Sequence, residues 1–139
     1  MDALLWCVVV GVLDGDTLRV RCGEQPQQVV RIAQIDAPEK RQPFGQRSRE
    51  GLSELCMYAR AELGPVKRDR YGRWVADVRC EGRDVASHQI DAGLAWAYTR
   101  YLKRVELLAR QAQAQRAGRG LWEQTEPPPV APWEWRRQR

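Results

Sequence analysis

A chain of 139 residues with 43% apolar content can bury a real core, and its length suits one domain. Lys and Arg number 23 against 18 Asp and Glu, for a formal charge of +5 that favours an anionic partner. No stretch approaches the roughly 18 apolar residues of a membrane helix, and the arginines are scattered rather than gathered on one amphipathic face, so nucleic acid fits the charge better than a membrane.

The stretch "LLWCVVVGVL" (Leu4 to Leu13) has neither a basic leader nor a small-residue cleavage site and reads as a first strand. It runs into "VLDGDTLRV", where Leu18, Val20 and Cys22 alternate with Arg19 and Arg21. Asp16 shares the parity of the inward set, so two aspartates and a glycine are expected within a strand. The turn "GEQPQQ" leads to a returning strand, "VVRIAQI" (Val29 to Ile35), with Arg31 in its middle. "DAPEKRQPFG" (Asp36 to Gly45) is a loop by its prolines and terminal glycine.

A helix is expected from about Gln46, with Leu52, Leu55, Cys56 and Ala59 at helical spacing. Arg60 to Val66 reads as an edge or bulged strand because it contains Gly64 and Pro65. "RWVADVRC" alternates with Trp74, Ala76, Val78 and Cys80 on one face. A second helix runs from about Asp84 to Gly93; a third, from about Leu102 to Ala117, places Val105, Leu108, Ala109 and Ala112 on one face. The tail "EPPPVAPWEWRRQR" is too proline-rich for a helix or central strand, and Trp122, Trp133 and Trp135 suggest that it packs back on the domain. The division is a domain over residues 1–125 and a Pro/Trp/Arg-rich tail over 126–139. This order of elements predicts an α+β fold, a five-stranded OB-fold-like β-barrel with three α-helices, an architecture that often binds oligonucleotides. Cys7, Cys22, Cys56 and Cys80 lack CxxC spacing, which argues against structural zinc and leaves four thiols, one disulfide or two.

If the first strands pair as a hairpin, Asp14, Asp16, Asp36 and Glu39 converge at one mouth of the barrel. Such a cluster repels itself unless a cation neutralises it, and all-oxygen ligands suit a hard ion such as calcium. "DGDT" taken alone equally describes an Asx-turn without a metal. Arg31 and Arg73 add guanidinium forks that match phosphate oxygens, although each alone also reads as a surface ion pair. Carboxylates for a metal, together with arginines for phosphate, are what phosphodiester cleavage needs. His88, the single histidine, falls in a helix away from the acidic loops, which excludes paired-histidine nucleases; no serine lies in a G-x-S-x-G context.

"VLDGDTLRV", "RIAQIDAPE", "FGQRSRE", "DRYGR" and "AGLAW", in this order over Val8 to Trp122, closely resemble the staphylococcal nuclease (thermonuclease) family. The resemblance implies a five-stranded OB-like barrel with three helices and a calcium-dependent endonuclease that cleaves DNA and RNA to 3′-phosphate products. Carried over by residue, Asp16 and Asp36 are metal carboxylates, and the main-chain carbonyl of Ala37, where threonine is typical, is a further ligand. Glu39 activates or positions water, and Arg31 and Arg73 bind phosphate. Tyr98 and Tyr101 fall where the family carries tyrosines beside the nucleotide, although the local spacing "AWAYTRY" differs. The tail "APWEWRRQR" is similar to that of bacterial members. Arginine replaces the lysine-rich character of some secreted members, and Pro65 interrupts a strand position. The expected protein is a monomer that prefers single-stranded substrates without strict sequence selection and has no membrane partner; the residues leave its localisation open, and the family resemblance leans towards a secreted or periplasmic setting. Two other readings are a non-catalytic nucleic-acid-binding OB-like module and a protein-interaction barrel using the Trp-rich tail.

Overall fold

Residues 5–123 and 126–138 are described by the structure, a computed structural model. Strands β1 (Leu5–Asp14), β2 (Thr17–Arg21) and β3 (Gln28–Ile32) form an antiparallel meander. Val9, Leu18, Val20, Val30 and Ile32 are buried on one face while Arg19 and Arg21 point out, as period-two alternation dictates. β1 also pairs with β5 (Arg60–Leu63), β5 with β8 (Val78–Cys80), and β8 with β9 (Arg83–Asp84). At the other end β3 pairs in parallel with β7 (Trp74–Ala76), which pairs with β6 (Lys67–Arg68). A separate ribbon joins β4 (Ile35–Asp36) to β10 (Trp96–Ala97).

The chain is thus mixed α+β, with an eight-stranded sheet in the order β6-β7-β3-β2-β1-β5-β8-β9 instead of five unbroken strands closing a barrel. Two of the expected strands are broken. Gly64 and Pro65 separate β5 from β6, because proline offers no N–H to a ladder. Asp77 separates β7 from β8, and its carbonyl accepts from Gly64 N at 2.9 Å.

Among the described residues four α-helices replace the expected three: α1 (Gly45–Cys56), α2 (Val85–Asp91), α3 (Glu106–Arg116) and α4 (Pro132–Arg137). α2 is capped by Asp84, whose carboxylate accepts from Ser87 N at 3.0 Å. α3 starts later than its spacing predicts because the Lys103 and Arg104 N–H groups donate to Gln34 Oε1, at 2.8 and 3.1 Å. Its buried residues are Leu107 and Ala114, while Val105 and Leu108 face solvent, so the expected apolar face is the wrong one. In an alanine-rich helix several stripes look alike, and packing against α2 chooses among them. α4 overturns the expectation that the tail is non-helical. Pro132 stands at the helix start, where its missing N–H costs nothing.

Leu52 and Cys56 of α1, Leu63 of β5, Ile90 of α2 and Leu107 of α3 complete the core beneath the meander. Two disulfides, Cys7–Cys22 and Cys56–Cys80, tie β1 to the end of β2 and α1 to β8.

Candidate active site

The connection from β1 to β2 is a two-residue turn at Gly15 and Asp16, closed by the pairing of Asp14 with Thr17. The two aspartates and the glycine therefore mark a reversal, not the interior of a strand. Gly15 is required by proximity: a Cβ there would overlap the hydroxyl of Ser48 on α1. The turn is seated by Gln89 of α2, whose Nε2 donates to Gly15 O at 2.9 Å and to Ser48 O at 3.1 Å.

Asp16, 6% exposed, is consequently held still. Its Oδ1 accepts from the Thr17 hydroxyl at 2.7 Å, its Oδ2 from Ala37 N at 2.8 Å, and its carbonyl from Ile32 N at 2.8 Å. The Ala37 contact brings the first turn against the end of β4, where Asp36 is only 1% exposed. Arg31 bridges the two aspartates. Its Nη1 donates to Ile32 O and Ile35 O, at 2.9 and 2.8 Å; its Nη2 donates to Asp36 Oδ1 at 3.1 Å and lies 3.4 Å from Asp16 Oδ2.

Glu39 lies in the loop after β4, where its N–H donates to Gln42 Oε1 at 3.0 Å and its carbonyl accepts from Gln42 N at 2.9 Å. Gly45 packs on that carbonyl so closely that a Cβ would overlap it. A residue missed from the sequence completes the cluster. Arg136 of α4 donates through Nη2 to Asp36 Oδ2 at 2.7 Å, and through Nη1 to Asp36 Oδ1 at 3.2 Å and Glu39 Oε1 at 2.7 Å.

Burial pushes the Asp36 carboxyl up to about 6, and neighbouring Asp16 adds to the rise, while the hydrogen bond from Arg136 and the charges of Arg31 and Arg136 pull it down. Asp14 is raised as well, first by burial and then by Asp16 and Glu39. Burial is thus the first reason these carboxyls resist ionisation, with repulsion from Asp16 behind it, even with two guanidinium groups present. Hard carboxylate oxygens whose charged form is penalised by burial fit a hard cation such as calcium. Among the described residues no three His, Cys, Asp or Glu side chains gather in metal-holding geometry, so an ion held by Asp16 and Asp36 would have to complete its shell with main-chain, neutral side-chain or water oxygen.

Residues 29–124 match the family model described as staphylococcal nuclease homologue. The chain belongs to the staphylococcal nuclease family. It is similar to a protein named uncharacterized endonuclease from Haemophilus influenzae, 39% identical over 132 residues that cover 95% of this chain and 73% of the relative. To the micrococcal nuclease of Shigella flexneri it is 34% identical over 140 residues, covering 93% of this chain and 79% of that one. It also matches the probable staphylococcal-like nuclease CAN1 of Oryza sativa subsp. japonica, 39% identical over 108 residues, of which it spans 32%.

Within this nuclease chain the expected residues do not all meet. Asp16, Asp36, Ala37, Arg31 and Glu39 converge, and Tyr98 joins them, its hydroxyl 3.4 Å from Arg136 Nη2. Tyr101 stands edge-on to Tyr98, with ring centres 4.9 Å apart. Arg73 stays outside. Its Nε pairs with Asp69 Oδ2 at 2.8 Å across the loop that precedes β7, and it is 36% exposed. The backbone register nevertheless keeps it close to the cluster's strand, since Trp74 lies opposite Val30, one residue from Arg31. His88 hydrogen-bonds Gln89 and takes no part in the cluster. Arg136 had one sequence signal, the spacing of Trp133 and Arg136, which shares one face of any helix formed there.

Proposed function

We propose that this nuclease-family chain is a calcium-dependent endonuclease that hydrolyses phosphodiester bonds of DNA and RNA, preferring single strands and selecting no strict sequence. The observation that carries the reading is the pair Asp16–Asp36, bridged by Arg31, with Asp16 Oδ2 also accepting from Ala37 N, 21 residues along the chain. Asp16, Asp36 and the carbonyl of Ala37 would hold the ion. When bound, the ion supplies positive charge against the phosphate oxygens.

The chain's own groups do the rest. Arg31 is anchored by two carbonyls, so its guanidinium is pre-aimed and spends no ordering when phosphate arrives. Arg73 exchanges its exposed partner Asp69 for phosphate, a low-cost change because surface ion pairs are weak. Glu39 accepts a proton from the attacking water and so sharpens the nucleophile. The new P–O bond forms as the bond to the 5′ oxygen breaks, giving the 3′-phosphate product the family resemblance implies. Tyr98 and Tyr101 offer rings on which a base stacks without selection, and the basic surface binds backbone phosphate.

Residues 74–76 pair with β3 and residues 78–80 with β5, so one short stretch of chain touches both arms of the sheet, which supports an OB-like reading of the fold. We further propose a monomer, with the tail 126–139 as an appendage to the domain 1–125. Its two disulfides favour an oxidising, secreted or periplasmic setting.

The test is incubation of single-stranded DNA and RNA with the protein, in calcium or in a chelator. Calcium-dependent laddering of both supports the proposal. Retardation of an intact band in both conditions instead supports a non-catalytic nucleic-acid-binding module.

A further inference from the structure

Helix α4 occupies the candidate site twice. Trp133 stacks on Tyr98, with ring centres 5.4 Å apart and planes 3° from parallel, and also meets Trp96 edge-on at 5.7 Å. One helical turn later Arg136 takes both oxygens of Asp36 and one of Glu39. The segment before α4 is anchored too, since Gln42 Nε2 donates to Val130 O at 2.6 Å and Ala131 and Pro132 are buried. By contrast, neighbouring Arg137 pairs with Glu134 on the same helix. The tail thus offers an aromatic ring where a base would stack and a cation where a metal would sit.

A metal ion on Asp36 must use oxygens that Arg136 now holds, so the two cations compete for one carboxylate. We propose that Arg136 is a latch on this site: it fills the Asp36–Glu39 pair in the cation-free protein, and calcium displaces it, releasing Trp133 from Tyr98 and opening the stacking face to substrate. This rests on the reading of Asp36 as a calcium ligand. Arg136 here is a positioning residue; it prevents premature occupation of the site and couples the tail to the ion. By linkage, calcium loosens the latch by the factor by which the latch weakens calcium, so a weaker latch gives tighter calcium binding.

Calcium titration calorimetry on the intact chain tests the latch without reference to turnover. Arg136→Gln is expected to bind calcium about tenfold more tightly than wild type, the weight of a charge-assisted bond to a buried carboxylate. Trp133→Ala retains Arg136 but loses the stack, and is also expected to tighten binding. Arg136→Lys keeps the charge without the two-oxygen grip and is expected to fall between wild type and Arg136→Gln, which keeps the test open should Arg136→Gln not fold. Arg137→Gln is expected to match wild type. In the wild type, calcium is expected to shift the indole N–H resonance of Trp133. Unchanged or weaker calcium binding in the Arg136 and Trp133 variants overturns the latch. Absence of calcium binding in wild type, or wild-type affinity in Asp36→Asn, instead overturns the calcium site on which the latch depends.

Discussion

Gly15 lies against Ser48 so closely that any Cβ at residue 15 would collide with the Ser48 hydroxyl. That hydroxyl cannot turn aside freely, because it donates to Leu94 O at 2.6 Å in a buried setting. The turn that carries Asp16 is thus set by the distance between a hairpin and a helix. Gly15→Ala is expected to lower stability by about 1–3 kcal/mol through overpacking. It is also expected to weaken calcium binding by shifting Asp16. Chemical denaturation and calorimetry on one preparation check both effects, and wild-type values for both would show that the contact places nothing.

Asp36 makes the stability of the cation-free protein depend on pH. Its carboxyl rises from the ordinary 3.8 to about 6 on folding, so the folded chain holds this proton more tightly than the unfolded chain. The contribution of this group to stability is then greatest at low pH and is lost as pH rises from 3.8 towards about 6. Asp36→Asn is accordingly expected to melt at or above the wild-type temperature at pH 7.5 without calcium, while binding no calcium. In wild type, calcium affinity is expected to fall as pH drops through about 6, where proton and ion compete. A calcium affinity flat from pH 5 to pH 7 would count against Asp36 as a ligand.

Arg31 and Arg73 are expected to separate under the same substitution. Arg31→Lys loses the fork and leaves the Ile32 and Ile35 carbonyls short of donors, so activity drops about 10²-fold or more and stability falls by about 1–3 kcal/mol. Arg73→Lys also loses about 10²-fold or more in rate, yet its exposed partner predicts a stability change within about 0.5 kcal/mol. Steady-state cleavage rates beside denaturant midpoints distinguish the two. Near-normal turnover in Arg73→Lys would leave Arg73 as a surface cation paired with Asp69.

Glu39 is the test of mechanism. Glu39→Gln keeps the shape and removes basicity, so kcat is expected to drop by roughly 10²-fold or more. Nucleotide affinity is expected to stay within about threefold of wild type and calcium affinity to hold or rise, since Asp16 and Asp36 remain in place while Arg136 loses its charged partner at Glu39. A structural role alone would lower the melting temperature and spare the rate. Measuring rate, calcium affinity and melting temperature on this variant decides between them, and cleavage at the wild-type rate removes Glu39 from the chemistry.

What could be read from the chain alone was what depends on neighbours in sequence. Alternation at Leu18, Val20, Val30 and Ile32 defines a buried face wherever those strands pair, because successive side chains point to opposite sides. The motifs around Asp16, Arg31, Asp36 and Glu39 identified the family and the cluster, and these residues do meet. Tertiary structure decided what propensity leaves degenerate. Pro65 and Asp77 divide strands that alternation alone would continue, and packing turns Leu107 inward and Leu108 outward on α3. Arg73 pairs with Asp69 because an exposed cation takes the carboxylate its own loop supplies. Above all, Arg136 reaches Asp36 across 100 residues of sequence. No local spacing records that contact. It exists because a buried carboxylate is stabilised by a cation that the folded chain brings within reach, and only the path of the tail over β10 and Tyr98 determines which cation that is.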